Sequence, residues 1–355
     1  MSNSLHVLVV DDSAVIRQTI QAILATQPDL RTSIAADPYI AMQRMERDRP
    51  DVIILDLEMP RMDGITFLRK LMRELPATPV IVCSSHLGDS GALAVRALEA
   101  GAVELIAKPS LGVRGFLNDS ALMLIDAVRA AAAVRRPPRR ISVDVMLPPP
   151  PRPAVLAADK TRVIAIGAST GGTEAIREIL DGLPATSCGL VIVQHMPDQF
   201  TRSFASRLNE TSALEVKEAE PGDEVLPGRA LIAPGNRHLI VVRRGTRLAV
   251  ETSDGPLISR HRPSVDVLFR SVATSAGSEA MGVILTGMGS DGAAGLLDMR
   301  LAGAHTLAQD EASCAVFGMP NEAIRKGGVC EVLPLGKIAS TLARVGISPS
   351  RVSPM

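Results

Sequence analysis

The sequence predicts an α/β protein built as two doubly wound domains on parallel sheets, joined by a stretch rich in proline and arginine. Three observations carry this. Short β-branched runs alternate with helix-length amphipathic segments in both halves of the 355-residue chain, the pattern of strand-helix-strand crossovers. Hydrophobic residues make up 46% of the chain and charged residues 21%, enough to bury cores in about two or three domains of ordinary size. Between the halves, core-forming periodicity stops altogether.

In the first half, Leu5 to Val10, Thr32 to Ala36, Val52 to Leu55, Val80 to Cys83 and Val103 to Ala107 read as strands. Five strands with helices between them imply a parallel sheet covered on both faces. Right-handed crossovers then gather the loops after Val10, Leu55 and Cys83 at the carboxyl edge, where open α/β sheets bind ligands. In the second half, Val163 to Ile166, Leu190 to Val193, Val283 to Leu285 and Val329 to Val332 are buried-strand candidates, with helices after Gly172, Ser264, Asp291 and Asn321. Arg229 to Ala233, His238 to Val242 and Arg247 to Glu251 are separated by Pro234-Gly235-Asn236 and Arg243-Arg244-Gly245, and read as a small antiparallel excursion from a mostly parallel sheet. The expected domains are residues 1–130 and 161–349, with no internal repeat. The linker, 131–160, holds Arg135-Arg136-Pro137-Pro138-Arg139-Arg140 and the prolines 148 to 151 and 153. Such sequence favours an extended chain of about 3 Å per residue, which spans distance without fixing domain orientation.

Composition excludes several functions. Lys and Arg total 38 against 38 Asp and Glu, a net charge of zero that gives nucleic acid or anionic membrane no electrostatic purchase. With no Trp, one Tyr and six Phe, the chain lacks material for base-stacking platforms. No basic helix-turn-helix is visible. Cys83, Cys188, Cys314 and Cys330 show no CxxC spacing, which fits a reducing compartment. Neither a signal peptide nor an apolar run of membrane-spanning length is apparent, so a soluble cytoplasmic protein without membrane insertion is expected.

Asp11 and Asp12 follow the first strand, Asp56 the third, Ser84 the fourth and Lys108-Pro109 the fifth. Two carboxylates a few Å apart repel by roughly 4 kcal/mol at an effective dielectric of about 20, so converging acids call for a cation or a raised pKa. Mg²⁺ suits such a site because it accepts one or two carboxylates together with waters and phosphate oxygens. Asp56 would then be placed to attack a phosphoryl group whose oxygens Ser84 and Lys108 contact. Together with Met59-Pro60-Arg61-Met62-Asp63-Gly64, these residues resemble the flavodoxin-like receiver domain of two-component response regulators. The resemblance covers about residues 4 to 130. It implies phosphorylation of Asp56 by a histidine kinase and Mg²⁺ held by Asp11, Asp12, Asp56 and the Glu58 backbone carbonyl. Leu105 stands where many receivers carry a switch aromatic.

In the second half, Gly167-Ala168-Ser169-Thr170-Gly171-Gly172 leaves an apolar strand and opens a helix. Such a turn can present a nucleophilic serine at the positive end of a helix. It can equally hold a phosphate, although strict GxGxxG order and a Walker lysine are missing, so a non-catalytic nucleotide-binding module stands as the alternative. Gln194-His195-Met196-Pro197 ends the next strand, where His195 is either structural or the base for Ser169. Asp291, in Leu285-Thr286-Gly287-Met288-Gly289-Ser290-Asp291-Gly292, is either a helix N-cap or the carboxylate that a triad requires. The order Ser, His, Asp differs from that of α/β-hydrolases. The remaining histidines, His6, His86, His238, His261 and His305, show no HxxxH or comparable spacing, which points away from catalytic zinc.

These segments, with Arg260-His261-Arg262-Pro263-Ser264-Val265-Asp266 and Glu311 through Pro320, are similar to the catalytic domain of chemotaxis protein-glutamate methylesterases, the CheB family. The similarity runs from about Arg162 to Leu342. It implies Ser169 as nucleophile, His195 as general base and then acid, and Asp291 as its orienting carboxylate. It also implies an oxyanion hole at the Met288 backbone N–H, Thr170 lining the site, and no metal in the ester step. The expected substrates are glutamate methyl esters and particular glutamines of methyl-accepting chemotaxis receptors, with the receiver inhibiting the esterase until Asp56 is phosphorylated.

Overall fold

The computed structural model describes residues 4–75, 77–84, 90–109, 114–134 and 162–345, in two compact units divided at Pro137. In the first unit the order is β1 (Leu5–Val10), α1 (Ala14–Leu24), β2 (Leu30–Ala35), α2 (Pro38–Arg47), β3 (Val52–Asp56), α3 (Gly64–Glu74), β4 (Val80–Ser84), α4 (Ser90–Glu99), β5 (Glu104–Ala107) and α5 (Arg114–Val134). The strands pair in parallel in the order β2-β1-β3-β4-β5. β3 and β4 are buried along their whole length, the signature of strands covered on both faces. Val7, Val9, Ile54, Ile81 and Val128 form part of the core; each such side chain contributes about 1.5–3 kcal/mol when buried. Helix starts are set locally. Asp37 and Asp63 accept the N–H of Ile40 and Thr66, both at 2.9 Å, and Pro38 occupies the first turn, where no N–H is needed.

The second unit runs β6 (Val163–Ala168), α6 (Gly172–Asp181), β7 (Gly189–Gln194), α7 (Asp198–Thr211), β8 (Glu215–Glu218), β9 (Arg229–Ile232), β10 (His238–Arg244), β11 (Arg247–Ser253), α8 (Val265–Ser275), β12 (Ala280–Ile284), α9 (Ala293–Leu301), β13 (His305–Gln309), α10 (Met319–Arg325), β14 (Glu331–Leu333) and α11 (Leu335–Leu342). Its seven-stranded sheet has the order β14-β13-β12-β6-β7-β9-β8, and every pairing is parallel. β10 and β11 form a separate antiparallel hairpin from His238↔Ser253 to Arg244↔Arg247. Its inner residues Leu239, Val241, Leu248 and Val250 join the same core as Leu268, Phe269 and Val272 of α8.

Several expectations are corrected here. Arg229 to Ala233 does not belong to the antiparallel excursion: β9 lies between β7 and β8 in the main sheet. β8 and β13 were not anticipated. β8, Glu-Val-Lys-Glu, is a polar edge strand that lacks a continuous apolar run, and β13 is interrupted by Thr306 and Gln309, both buried. The helix expected after Asn321 begins at Met319. α5 runs to Val134, and residues 135–160 of the expected linker lie outside the described residues.

Candidate functional site

In the second sheet the chain leaves β6 toward β7 on one side and later returns to β12 on the other. The loops after β6 and β12 therefore diverge at a topological switch point, where a crevice forms at the carboxyl edge. Ser169 follows β6 directly and is 8% exposed. Its N–H donates to Thr286 O at 3.0 Å, and its carbonyl accepts from Gln194 Nε2 at 3.0 Å, so both neighbouring strand ends grip its backbone. Gly171 turns the chain into α6 with φ 77°, and a Cβ there would stand 2.5 Å from Ala315 Cβ. Glycine is required at that position.

His195 follows β7 and donates its N–H to Ala168 O at 3.1 Å. Its Nε2 lies 2.8 Å from Asp291 Oδ2. A carboxylate only accepts, so Nε2 carries the proton and Nδ1 is the accepting nitrogen of the neutral ring. Nδ1 is buried and has no hydrogen-bond partner among the described residues. The expected bond from Ser169 is therefore not formed in this structure. In free enzymes such bonds are often open and tighten only around substrate.

Asp291 is 1% exposed and accepts from Ser264 Oγ at 2.7 Å, Val265 N at 2.7 Å and Asp266 N at 3.1 Å, besides His195. Burial alone would raise its pKa. The His195 bond and charge and the donors at the start of α8 outweigh burial and hold it down to about 2. The N-cap of α9 is Gly292, so Asp291 caps no helix of its own; it sits on the N-terminus of α8. That terminus is fixed in turn, because Ser264 N donates to His238 Nδ1 at 3.1 Å and His238 Nε2 bonds Pro256 O at 2.9 Å.

The loop after β12 is clamped by Thr286, whose N–H donates to Gln309 Oε1 at 2.9 Å and whose hydroxyl donates to Thr170 O at 3.0 Å. Thr170 is buried. A Cβ on Gly287 would stand 2.7 Å from Ser169 Cβ, so the Met288 peptide begins next to the serine. His261, which nothing in its spacing placed here, stacks on His195 with ring centroids 3.7 Å apart and planes 5° from parallel. His195, His261 and Asp291 bring donor atoms within 4.8 Å of one another. Parallel rings cannot aim in-plane lone pairs at one ion, however, and His195 Nε2 and His261 Nδ1 are already bonded. Ser264, His238, Thr286, Gln309 and His261 have no role at the site in the sequence expectations, although His261, Ser264 and Thr286 stand in segments that carry the family resemblance.

In the first sheet the switch point lies between β1 and β3. Asp11 and Asp56 are 1% and 2% exposed, while Asp12 is exposed, and one oxygen of each lies within 4.8 Å of the others. Lys108 Nζ stands 3.0 Å from Asp11 Oδ2 and 2.7 Å from Asp56 Oδ2. Apart from this ion pair, both oxygens lack a hydrogen-bond donor among the described residues. Burial, helped by Asp11 and opposed by Lys108, pushes the Asp56 carboxyl up to about 6. Asp56 Oδ1 accepts Glu58 N at 3.2 Å. Ser84 ends β4, and its carbonyl accepts Lys108 N at 2.9 Å. Gly64 lies so near the acceptor strand that a Cβ would stand 2.3 Å from Asp56 O. Leu105 is buried in β5.

Comparison with known proteins gives two family matches: CheB methylesterase over residues 164–342 and response regulator receiver domain over residues 7–114. The protein-glutamate methylesterase/protein-glutamine glutaminase 5 of Anaeromyxobacter dehalogenans (strain 2CP-C) is 56% identical over 350 residues, covering 96% of each chain. That numbered 3 in Geobacter metallireducens is 54% identical over 352 residues, covering 96% of this chain and 99% of the relative. The crystal structure of the Thermotoga maritima CheB methylesterase catalytic domain is 40% identical with a TM-score of 0.50, covering 52% of this chain and 97% of that one.

Proposed function

Since the chain belongs to the CheB methylesterase family and carries a receiver domain ahead of its esterase, we propose that Ser169, His195 and Asp291 hydrolyse glutamate methyl esters on methyl-accepting chemotaxis receptors. The observation that carries the assignment is a buried His195 with Nε2 committed to Asp291 and Nδ1 left as its one acceptor, on the strand beside Ser169. Ser169 Oγ attacks the ester carbonyl while Nδ1 takes its proton. Asp291 stabilises the imidazolium and keeps the tautomer. The Met288 N–H, beside Thr170, faces the oxyanion. Collapse returns the proton to the leaving oxygen and releases methanol. Water, deprotonated by His195, then frees the glutamate. With a glutamine the same steps release ammonia, which makes the chain a glutaminase as well. The family displaces the nucleotide-binding alternative.

Asp56 is the phosphate acceptor of the first domain, which we take as extending through α5 to Val134, and a histidine kinase is the donor. Asp11, Asp12, Asp56 and the Glu58 carbonyl fit Mg²⁺: three acidic oxygens lie close together, and two of them are buried against a single ammonium. When bound, the ion neutralises the phosphoryl charge. Ser84 and Lys108 contact the transferred oxygens. The unphosphorylated receiver inhibits the esterase, and phosphorylation of Asp56 relieves the inhibition. Among the described residues no helix is long and apolar enough to cross a membrane, and a kinase donor with receptor substrates suits action in the cytoplasm. The test is methanol release from methylated receptor membranes with and without a small-molecule phosphodonor. Ser169→Ala should lose roughly four to six orders of magnitude in turnover, and near-normal release would move catalysis elsewhere.

A further inference from the structure

The segment that carries His261 is built as a tight turn. Ile258 and His261 exchange both backbone hydrogen bonds, at 3.1 and 2.8 Å, and the two residues between them, Ser259 and Arg260, both take left-handed φ values of 50° and 66°. Two successive residues in that region form the primed turn that ordinarily selects Asn or Gly. Here Ser and Arg hold it, and the turn delivers one imidazole flat against another. His261 Nδ1 lies 2.7 Å from Ser259 O; a carbonyl only accepts, so Nδ1 carries the proton, and the bond fixes the ring to its own turn.

From the 3.7 Å parallel stacking of His261 on His195 we infer that His261 is a positioning residue for the esterase, holding the plane of the catalytic imidazole so that Nδ1 points at Ser169. The inference rests on the Ser169-His195-Asp291 reading. The bond from Nε2 to Asp291 fixes one atom of the His195 ring and leaves the ring free to tilt about it. A flat surface against its face removes that freedom, and a near-attack geometry depends on such freedoms being removed beforehand. The ring that does this is uncharged: burial first, and the neighbouring His195 charge second, lower the His261 pKa to about 3. The imidazolium formed when His195 takes the serine proton therefore meets a neutral π face and no second cation. His261 itself transfers no proton in the reaction, since parallel rings direct their nitrogens alongside one another, not toward one another.

The experiment measures methanol release from methylated receptor membranes by the full chain and its His261→Ala, His261→Phe and Ser169→Ala variants, with thermal unfolding recorded for each. His261→Ala should lower kcat roughly 10- to 100-fold with KM within about twofold. His261→Phe, which keeps a flat ring without an ionisable nitrogen, should recover to within about fivefold of the parent. The inference is overturned by a His261→Ala enzyme within about twofold of the parent, by a loss expressed in KM alone, or by a folded His261→Phe enzyme as impaired as the alanine variant. If His261→Ala does not fold, the Phe variant decides alone on the same thresholds. A Ser169→Ala chain that turned over normally would sink the triad itself; an inactive Ser169→Ala beside an unaffected His261→Ala would sink only the positioning role.

Discussion

At the scale of residues, the second site is organised around Asp291, whose four hydrogen bonds come from His195 and the first turn of α8. The sequence left that aspartate with two roles, and only tertiary structure separates them, because Ser264, the N-cap of the capturing helix, lies 27 residues upstream. Ser169 and His195 were legible from their places after apolar strands. His261, His238 and Ser264 were not, since each acts through a neighbour distant in sequence. The depressed pKa of Asp291 also makes a stability statement. Its folded value of about 2 lies below the ordinary 3.8, so the folded state binds the proton less readily than the unfolded chain. The stabilisation is fully present above about pH 4 and is lost as pH falls through 2, a change on the order of 2 kcal/mol. Denaturant unfolding of the parent and Asp291→Asn across that window should show a steeper acid loss in the parent; equal slopes would refute the assignment.

At the scale of elements, both sheets were readable because strands covered on two faces must be nearly continuous in Val, Ile and Leu. β1, β3, β6 and β7 obey this, and their carboxyl ends carry Asp11, Asp56, Ser169 and His195, the groups proposed to react. β8 and β13 failed the same test for opposite reasons, one being polar at an edge and the other carrying buried Thr306 and Gln309, whose hydrogen bonds outweigh their burial cost. The turn from β6 into α6 leaves little room for change. Gly171→Ala should cost about 2 kcal/mol or more, since a left-handed φ and an overlap with Ala315 act together. Thermal unfolding with parallel esterase assays would check this. An alanine variant as stable and active as the parent would show that the loop can rearrange.

At the scale of the whole molecule, each unit packs its own hydrophobic core among the described residues, and both centres follow from one rule: open parallel sheets bind where strand order reverses. That much could be read before any coordinates. The last helix of the first unit, α5, ends at Val134, next to the change to Pro- and Arg-rich composition at Arg135. Communication between the centres is tested by Asp56→Asn, which should retain basal methanol release and lose the stimulation by phosphodonor; unchanged stimulation would contradict control through Asp56. The borders of the seven-stranded sheet carry a last consequence. One is β8, with Glu215, Lys217 and Glu218, and the other is β14, only three residues long. Charge on one side and brevity on the other disfavour strand addition by a second copy at either border.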